Sequence, residues 1–350
     1  MLQPKYTTTV VGAHSVPDWF ESLDRLVSVG QLAMASMADA QFRCCEAAVH
    51  DQELADIDVL TGGEMHRRTH NRHSPPNAML NFFWQKIPAF QGATRPKAIT
   101  AHDPDIFHPA ATFRAKIYDN VDLGLVDEFK MVSGLTKKPV KVTLTSPLML
   151  AKVAYDEFYG GDIGKMQIDI AKLLNRNFKL LADAGCKNIQ VDEPLFTVST
   201  EEEVEAGIEA INLAIEGLPT DIHVSVHACQ GNYAVGKEYD GQIGHRYFDH
   251  GRYKADKICG INCASLLIEH DMTHHFEGHL GNKQLGVGAI DVQDPKIESA
   301  EQVAERILRY KWLAPEQTIV TSSCGFNHLP RSTAFGKLKA MREAKRILGG

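Results

Sequence analysis

Short runs of apolar and β-branched residues recur along the chain, and most end in a polar cluster followed by helical periodicity. Each run has about the length of one buried strand, which is typically five to six residues. The predicted strands are 7–12, 57–61, 139–145, 188–192, 222–227, 264–269, 285–291 and 318–323. Eight repeats of strand and helix predict an α/β fold, a (β/α)8 TIM barrel.

The segments between these runs carry the apolar spacing of amphipathic helices. In 162–184, Met166, Ile170 and Phe178 lie along one face, and Gly185 is a natural end. The helix predicted at 200–216 opens with an acidic first turn, which suits the positive end of the helix dipole. Further helices are predicted at 299–313 and 332–348.

One connection, 62–138, is far longer than an ordinary strand-to-helix loop. We expect this insertion after strand 2 to form a hairpin or lid over the mouth of the barrel, and a surface excursion unrelated to catalysis is the alternative. A length of 350 residues is compatible with two domains or with one large barrel. The strand and helix rhythm favours a single catalytic domain over 1–350.

Composition narrows the class of protein. A net charge of -7 argues against a nucleic-acid or acidic membrane surface, and no apolar run reaches the roughly 18 residues of a membrane helix. The first residues lack the basic flank and apolar core of a signal peptide, so a cytoplasmic enzyme is expected. Seven cysteines, an odd number without an export signal, do not indicate a disulfide framework.

Polar side chains collect where the predicted strands end, which is the edge that carries active sites in such barrels. The residues at these ends are Gly12, Ala13, His14, Glu64, Ser146, Asp192, Glu193, His227, Cys229, Glu269, His270, Asp291 and Cys324.

The strongest local motif is His227-Ala228-Cys229. Residues i and i+2 of a strand point to the same side, so the imidazole and the thiol could share one metal ion. A lone His-x-Cys is more often packing than a metal site, but Cys324 and Glu269 end two other predicted strands. Two thiolates and one imidazole select Zn2+ over magnesium or calcium. The other cysteines are assigned to packing, namely Cys44, Cys45, Cys186, Cys259 and Cys263.

A zinc ion held by two thiolates, an imidazole and a carboxylate would carry a surplus negative charge. Such a site is a poor activator of water and a good holder of a nucleophilic thiolate. The donor set therefore indicates thiol alkylation.

Several motifs together resemble the cobalamin-independent methionine synthase family, specifically its catalytic C-terminal barrel in a short form without the N-terminal barrel. The motifs are TTTVVG at 7–12, TGGE at 61–64, IQVDEP at 189–194, HAC at 227–229, IEH at 268–270, GAIDV at 288–292 and SSCGFNHLPR at 322–331. The resemblance implies zinc bound by His227, Cys229, Glu269 and Cys324. It also implies that Glu64 and Asp192 bind the amino group of homocysteine. The alternative for these two carboxylates is an ion pair at the barrel mouth.

The chain departs from the family pattern on the methyl-donor side. The family usually has Gly-Ser where this chain has Gly12-Ala13, so Ala13 and His14 stand at the position that binds the carboxylate of the amino acid. Val153 replaces a Trp that lies against the folate, and Asp291 is followed at two residues by Gln293 instead of a proton-transferring His. Proton transfer would then need His14, His270 or a residue of the 66–73 loop, unless these histidines are ordinary loop residues. Asp291 and His270 are the candidate catalytic residues.

Three functions follow from these residues. The first is methyl transfer to homocysteine from a methylated folate, a corrinoid or other methyl-carrier protein, or another small methyl compound. The second, resembling epoxyalkane:coenzyme M transferases, is alkylation of a thiol cofactor whose sulfonate meets Arg67, Arg68 and Arg72. The third is a non-catalytic zinc-binding protein. Small molecules are the expected partners, and the sequence leaves a homo-oligomer open.

Overall fold

The computed structural model describes residues 4–33, 35–68, 79–90, 94–100, 103–196, 199–228, 257–262, 277–278 and 280–350. The strands are β1 (Thr7–Thr8), β2 (Arg95–Thr100), β3 (Asp103–Ala110), β4 (Thr112–Phe113), β5 (Lys141–Thr145), β6 (Tyr155–Asp156), β7 (Asn188–Asp192), β8 (His223–His227), β9 (Lys257–Asn262), β10 (Gln284–Ile290) and β11 (Thr318–Ser322). The helices are α1 (Asp18–Ser28), α2 (Ala35–Leu54), α3 (Asn81–Trp84), α4 (Leu125–Ser133), α5 (Pro147–Lys152), α6 (Ile163–Asp183), α7 (Glu201–Ala214), α8 (Ala300–Leu308) and α9 (Arg331–Ile347), with a 3-10 helix at Met65–Arg67.

A parallel sheet organises the molecule, with strand order β1-β11-β10-β9-β8-β7-β5. Two single parallel bridges, Thr9–Val59 and Leu60–Val140, join residues 57–61 to the chain after β1 and to the residue before β5. Because the strands run the same way, their carboxyl ends meet at one edge. The fold is therefore α/β with a parallel sheet, as the sequence predicts.

The strands alternate in chemistry, which explains how both faces of the sheet are buried. In β5, Val142 and Leu144 join the hydrophobic core, while Lys141, Thr143 and Thr145 lie on the other face. Lys141 Nζ donates to the carbonyl oxygen of Val10 and to Gln190 Oε1, each at 2.6 Å. One face thus packs against apolar side chains and the other is a hydrogen-bonded polar layer.

Most predicted elements form within two or three residues of their expected bounds. The helix predicted at 162–184 is α6, whose Met166, Ile170 and Phe178 are buried as expected. Asp162 and Thr200 are the N-caps of α6 and α7. The helix predicted at 299–313 is shorter and ends at Leu308.

A strand that the sequence pattern did not predict, β9 (Lys257–Asn262), lies between β8 and β10 in the sheet. Its Lys257 pairs in register with Ser225 of β8. The predicted strand 264–269 and Cys263 lie outside the described residues. The expectation that Glu269 ends the sixth strand therefore stays a prediction.

Residues 62–138 contain the 3-10 helix, α3, α4 and an antiparallel hairpin formed by β2 and β3. The segment is anchored on α5, because Trp84 is fully buried and its Nε1 donates to the carbonyl oxygen of Leu150 at 3.1 Å. Lys97 Nζ of the hairpin donates to the carbonyl oxygens of Lys152, at 2.9 Å, and Ala154. A hairpin is present as expected, and its action as a lid stays a prediction.

The thiols of Cys44, Cys45 and Cys186 are buried, in agreement with their assignment to packing. Burial raises the pKa of Cys45 to about 12, which leaves this thiol protonated and unreactive. Among the residues that the structure describes, no helix is both long and apolar enough to cross a membrane.

Candidate functional site

Glu64 is placed by an unusual backbone. Gly63 and Glu64 both lie in the left-handed region, with φ of 68° and 60°. Such a conformation is uncommon outside glycine and often marks functional sites. A side chain at Gly12 would crowd the Glu64 carboxyl group, since its Cβ would stand only 3.2 Å from Glu64 Cδ. Thr143 Oγ1 donates to Glu64 Oε1 at 2.5 Å and fixes the carboxyl group further.

A buried ionic cluster lies behind Glu64. Arg67 is almost fully buried, and its Nε and Nη2 donate to the two carboxylate oxygens of Glu128 at 3.0 and 2.7 Å. His66 Nε2 lies 2.8 Å from Glu128 Oε2. Burial alone would raise the pKa of Glu128, but Arg67 and His66 hold it at about 2. Glu128 is therefore ionised at every working pH.

Two buried carboxyl groups end β7. Burial, against the opposing effect of His227 and with a further contribution from the charge of Glu64, raises the pKa of Asp192 to about 7. Gln190 Nε2 donates to Asp192 Oδ1 at 2.7 Å. Burial also raises the pKa of Glu193 to about 7, although Ser146 Oγ donates to its Oε2. Glu64 and Asp192 are thus close enough to sense each other electrostatically, as two groups that share a ligand would be.

The predicted metal ligands are only partly within the described residues. His227 ends β8, is buried, and is in register with Asp192 on β7. Cys324 is half-buried just after β11, where Ser322 Oγ donates to its carbonyl oxygen at 2.7 Å. Cys229, Glu269 and His270 lie outside the described residues. Within the described ranges, no three His, Cys, Asp or Glu side chains form a metal-binding group.

The chain after β1 brings Ala13 and His14 to the same edge. Phe326 N donates to the carbonyl oxygen of Ala13 at 2.9 Å, so Ala13 adjoins the loop that follows Cys324. His14 is buried, with its Nε2 3.2 Å from Asp51 Oδ2. Arg331 donates to both oxygens of Asp51 at 2.7 and 2.8 Å. His14 therefore contacts the carboxylate of Asp51, and Asp51 is itself ion-paired with Arg331.

The residues predicted on the methyl-donor side are also near strand ends. Asp291 follows β10 and is buried, and its Oδ1 accepts a bond from the backbone N of Gln293 at 2.9 Å. Val153 ends α5 and belongs to the hydrophobic core. Ser146 N-caps α5 by accepting from Met149 N at 3.0 Å.

Three charged residues of this site were not predicted from the sequence in their observed roles. Glu128 and Asp51 lie on α4 and α2, far from the motifs in sequence, so no local signal marks them. The alternative function would place Arg67 against a sulfonate, whereas in the structure Arg67 binds Glu128. Its spacing of three residues from Glu64 was the only available signal for an ion pair.

The described arrangement can bind a cation between two carboxyl groups beside an imidazole. Glu64 and Asp192 supply oxygen acceptors suited to an ammonium group. His227 and Cys324 add a nitrogen and a sulfur at the same edge of the sheet. Such an edge suits a small amino-acid thiol.

Known proteins resemble this chain over almost its whole length. A sequence model described as the catalytic domain of cobalamin-independent synthase matches residues 6–346. A methionine synthase of Sulfurisphaera tokodaii is 29% identical over 349 residues, covering 99% of this chain and 93% of that protein. One of Sulfolobus acidocaldarius is 30% identical over 333 residues, covering 95% of this chain and 88% of that protein.

Solved structures share the fold. The structure of a B12-independent methionine synthase from Shewanella sp. W3-18-1 in complex with selenomethionine has a TM-score of 0.81 to this chain at 23% identity. The alignment covers 99% of this chain and 98% of that one. A putative vitamin-B12 independent methionine synthase from Listeria monocytogenes has a TM-score of 0.75 at 17% identity, covering 100% and 99%.

Proposed function

Because the chain belongs to the cobalamin-independent methionine synthase family, we propose that it transfers a methyl group to the thiol of homocysteine and forms methionine. The observation that carries the proposal is the pair of buried carboxyl groups, Glu64 and Asp192, which Thr143 and Gln190 hold at the carboxyl edge of the sheet. In the reaction the thiol loses its proton, its sulfur forms a bond to the methyl carbon, and the bond to the donor's leaving group breaks.

Glu64 and Asp192 bind the ammonium group of homocysteine in this proposal. Thr143 and Gln190 hold the two carboxyl groups in place through bonds of 2.5 and 2.7 Å. Ala13 offers no hydroxyl to the carboxylate of the amino acid. His14, which Asp51 orients, takes that position, so it is the neighbouring side chain able to bind this carboxylate.

We further propose that His227, Cys229, Glu269 and Cys324 hold Zn2+. The two described members fit this metal, because a buried imidazole and a half-buried thiol at one sheet edge are typical zinc donors. A bound zinc ion would lower the pKa of the substrate thiol, so that the reactive thiolate is present at neutral pH. Asp192 adjoins His227 in register and can keep the imidazole correctly oriented.

A closed (β/α)8 barrel over 1–350, with 62–138 as an insertion after strand 2, is the architecture we propose for this site. The bridges Thr9–Val59 and Leu60–Val140 support closure, because they place residues 57–61 between β1 and β5, the two ends of the strand order. In a closed barrel all strand ends face one central space. Residues as distant in sequence as Glu64 and Cys324 then converge.

The methyl donor that the site favours is not a folate. Val153 is buried in the core and offers no aromatic face to a pterin ring. Gln293 donates its backbone N–H to Asp291, and its amide side chain cannot protonate a leaving group at neutral pH. A corrinoid or another small methyl compound fits these residues better, with Asp291, His14 or His270 completing proton transfer.

The second reading, a thiol with a sulfonate group, loses support from the structure. It needs the positive charge of Arg67, but this guanidinium is buried and makes a two-bond ion pair with Glu128. Arg68 is half-buried, and Arg72 lies outside the described residues. A non-catalytic zinc site is disfavoured because structural zinc ligands are usually close in sequence.

The test incubates zinc-loaded protein with L-homocysteine or 2-mercaptoethanesulfonate as the thiol and, in parallel, with methylcobalamin, a methylated folate or a small methylsulfonium compound as donor. Mass spectrometry should detect methionine with at least one donor, and Cys324→Ser should lose both zinc and turnover while keeping its circular dichroism spectrum. Formation of an alkylated 2-mercaptoethanesulfonate but no methionine would contradict the proposal. Full zinc content in Cys324→Ser would remove that residue from the ligand set.

A further inference from the structure

Arg67 is shared unequally between two carboxylates. Its Nε and Nη2 form a fork on Glu128 with bonds of 3.0 and 2.7 Å, whereas its Nη1 stays 3.6 Å from Glu64 Oε1. All three side chains are buried. The stronger ion pair is therefore the one that points away from the site.

Two further contacts help to orient the guanidinium beside Glu128. Arg67 Nη2 also donates to the carbonyl oxygen of Thr143 at 2.5 Å. The guanidinium carbon lies 5.8 and 5.4 Å from the ring centres of Phe82 and Phe83, within the range of a cation–π contact. Buried ion pairs in which an arginine donates two hydrogen bonds to one carboxylate are strong and directional.

The balance of charge follows from these contacts. Glu64 and Glu128 are two carboxylates on either side of one guanidinium, and His66 lies against Glu128. Without Glu128, the nearest carboxylate for Arg67 would be Glu64, whose Oε1 lies 3.6 Å from Nη1, and a full ion pair there would cancel the charge that faces the ligand. Buried charges interact strongly because little water screens them.

We propose that Glu128 is a positioning residue that draws the Arg67 charge away from Glu64, so that Glu64 keeps the negative charge with which it selects thiols bearing an ammonium group. This proposal rests on the proposed binding of homocysteine, and it explains how the site selects a thiol that carries an ammonium group. In it, the Glu128 carboxylate on α4 acts on the ligand only through Arg67 and Glu64.

The test measures selectivity without a methyl donor. Isothermal titration at pH 8, where imidazoles are ordinarily neutral, compares L-methionine with 4-(methylthio)butanoate, which lacks only the amino group. Zinc-loaded protein is titrated in the same way with L-homocysteine and 4-mercaptobutanoate. The wild type should prefer each amino acid by roughly 100-fold or more, as sites built to bind an N–H group do.

Glu128→Gln keeps the shape of the side chain and removes its charge, and we expect it to lower this preference about ten-fold. Glu128→Asp keeps the charge and should retain most of the preference. Asp58→Asn is the matched control, because it removes a carboxylate from the ion pair with Lys345, 2.8 Å long, at the opposite end of the strands. Its preference should equal that of the wild type.

The outcomes distinguish a failure of the proposed function from a failure of the proposed role of Glu128. Failure of the wild type to bind either amino acid would overturn the proposed function together with this inference. Binding with an unchanged preference in Glu128→Gln, or an equal loss in Asp58→Asn, would overturn the inference alone. If Glu128→Gln does not fold, a preference near one in the wild type or in Glu128→Asp would still overturn it.

Discussion

At the scale of single residues, two glycines give Glu64 its position. Gly63 takes a left-handed φ of 68°, and a Cβ there would lie 2.8 Å from the side chains of Ala48 and His14. Gly12 leaves the space that the Glu64 carboxyl group fills. The motif TGGE is thus a steric requirement of this site as well as a family resemblance.

Gly12→Ala should weaken ligand binding without unfolding the protein. The added methyl group would stand 3.2 Å from Glu64 Cδ and 3.3 Å from Thr143 Cγ2, so the carboxyl group must move. We expect the affinity for L-methionine to fall about ten-fold or more, measured by isothermal titration, because displacement of a binding group by a fraction of an ångström loses its hydrogen bonds. Unchanged affinity would show that Glu64 does not contact the ligand.

Asp51→Asn should change how the free energy of unfolding depends on pH. Burial alone would raise the pKa of Asp51, but hydrogen bonds from His14 and Arg331 lower it from 3.8 to about 2. A carboxyl group whose pKa is lower in the folded protein than in the unfolded one stabilises the fold at pH values above its unfolded pKa. This stabilisation is lost as the pH falls through the folded pKa. The variant should have a free energy of unfolding about 1–2 kcal/mol lower at pH 7.

The difference between wild type and Asp51→Asn should shrink as the pH falls from about 4 to 2. Urea denaturation at pH 7, 4 and 3 checks this. A difference that does not change with pH would mean that packing, and not the ionised carboxylate, accounts for the loss.

At the scale of elements, local sequence was sufficient where a helix carried a strong pattern. The apolar stripe of α6 and the acidic first turn of α7 predicted both helices to within two residues of their observed bounds. The pattern predicted no strand at β9, whose sequence KICGIN mixes apolar residues with a lysine, a glycine and an asparagine. The ion pairs of Glu128 and Asp51 could not be foreseen, since they join helices to residues 61 and 37 positions away in the sequence.

Thr200→Ala should destabilise the protein through one helix end. Thr200 Oγ1 accepts from Glu203 N at 3.3 Å, and Glu203 Oε2 accepts from Thr200 N at 2.9 Å, forming a capping box. Glu203 Oε2 also binds Lys152 at 2.6 Å, which links α7 to α5. The free energy of unfolding should fall by about 1 kcal/mol in urea, whereas Thr200→Ser should keep most of it. Equal losses in both variants would contradict the capping role.

At the scale of the whole molecule, the polar layer joins segments that are far apart in sequence. Lys141 connects Val10 with Gln190, and Gln190 Nε2 reaches the carbonyl oxygen of Val11 and Asp192. The same bonds that hold the strands together therefore orient a carboxyl group of the proposed site.

Lys141→Met should impair stability and binding together. The substitution leaves a buried carbonyl and a buried amide oxygen without this donor, at a cost of about 2–4 kcal/mol in the free energy of unfolding. It should also weaken L-methionine binding, because Gln190 no longer has a fixed orientation beside Asp192. Urea denaturation and calorimetry measure the two effects. Lys172→Met on the surface of α6 is the control, and a similar loss there would contradict the proposed coupling.

The pairing of β1 with β11 has a consequence for synthesis of the chain. Thr7 and Thr8 emerge from the ribosome long before their partners in the sheet, Ile319 and Val320. Until β11 is made, this edge of β1 is unpaired and open to contact with other nascent chains. Chaperones that shield early strands should therefore matter more for the yield of this protein than for one whose neighbouring strands are consecutive.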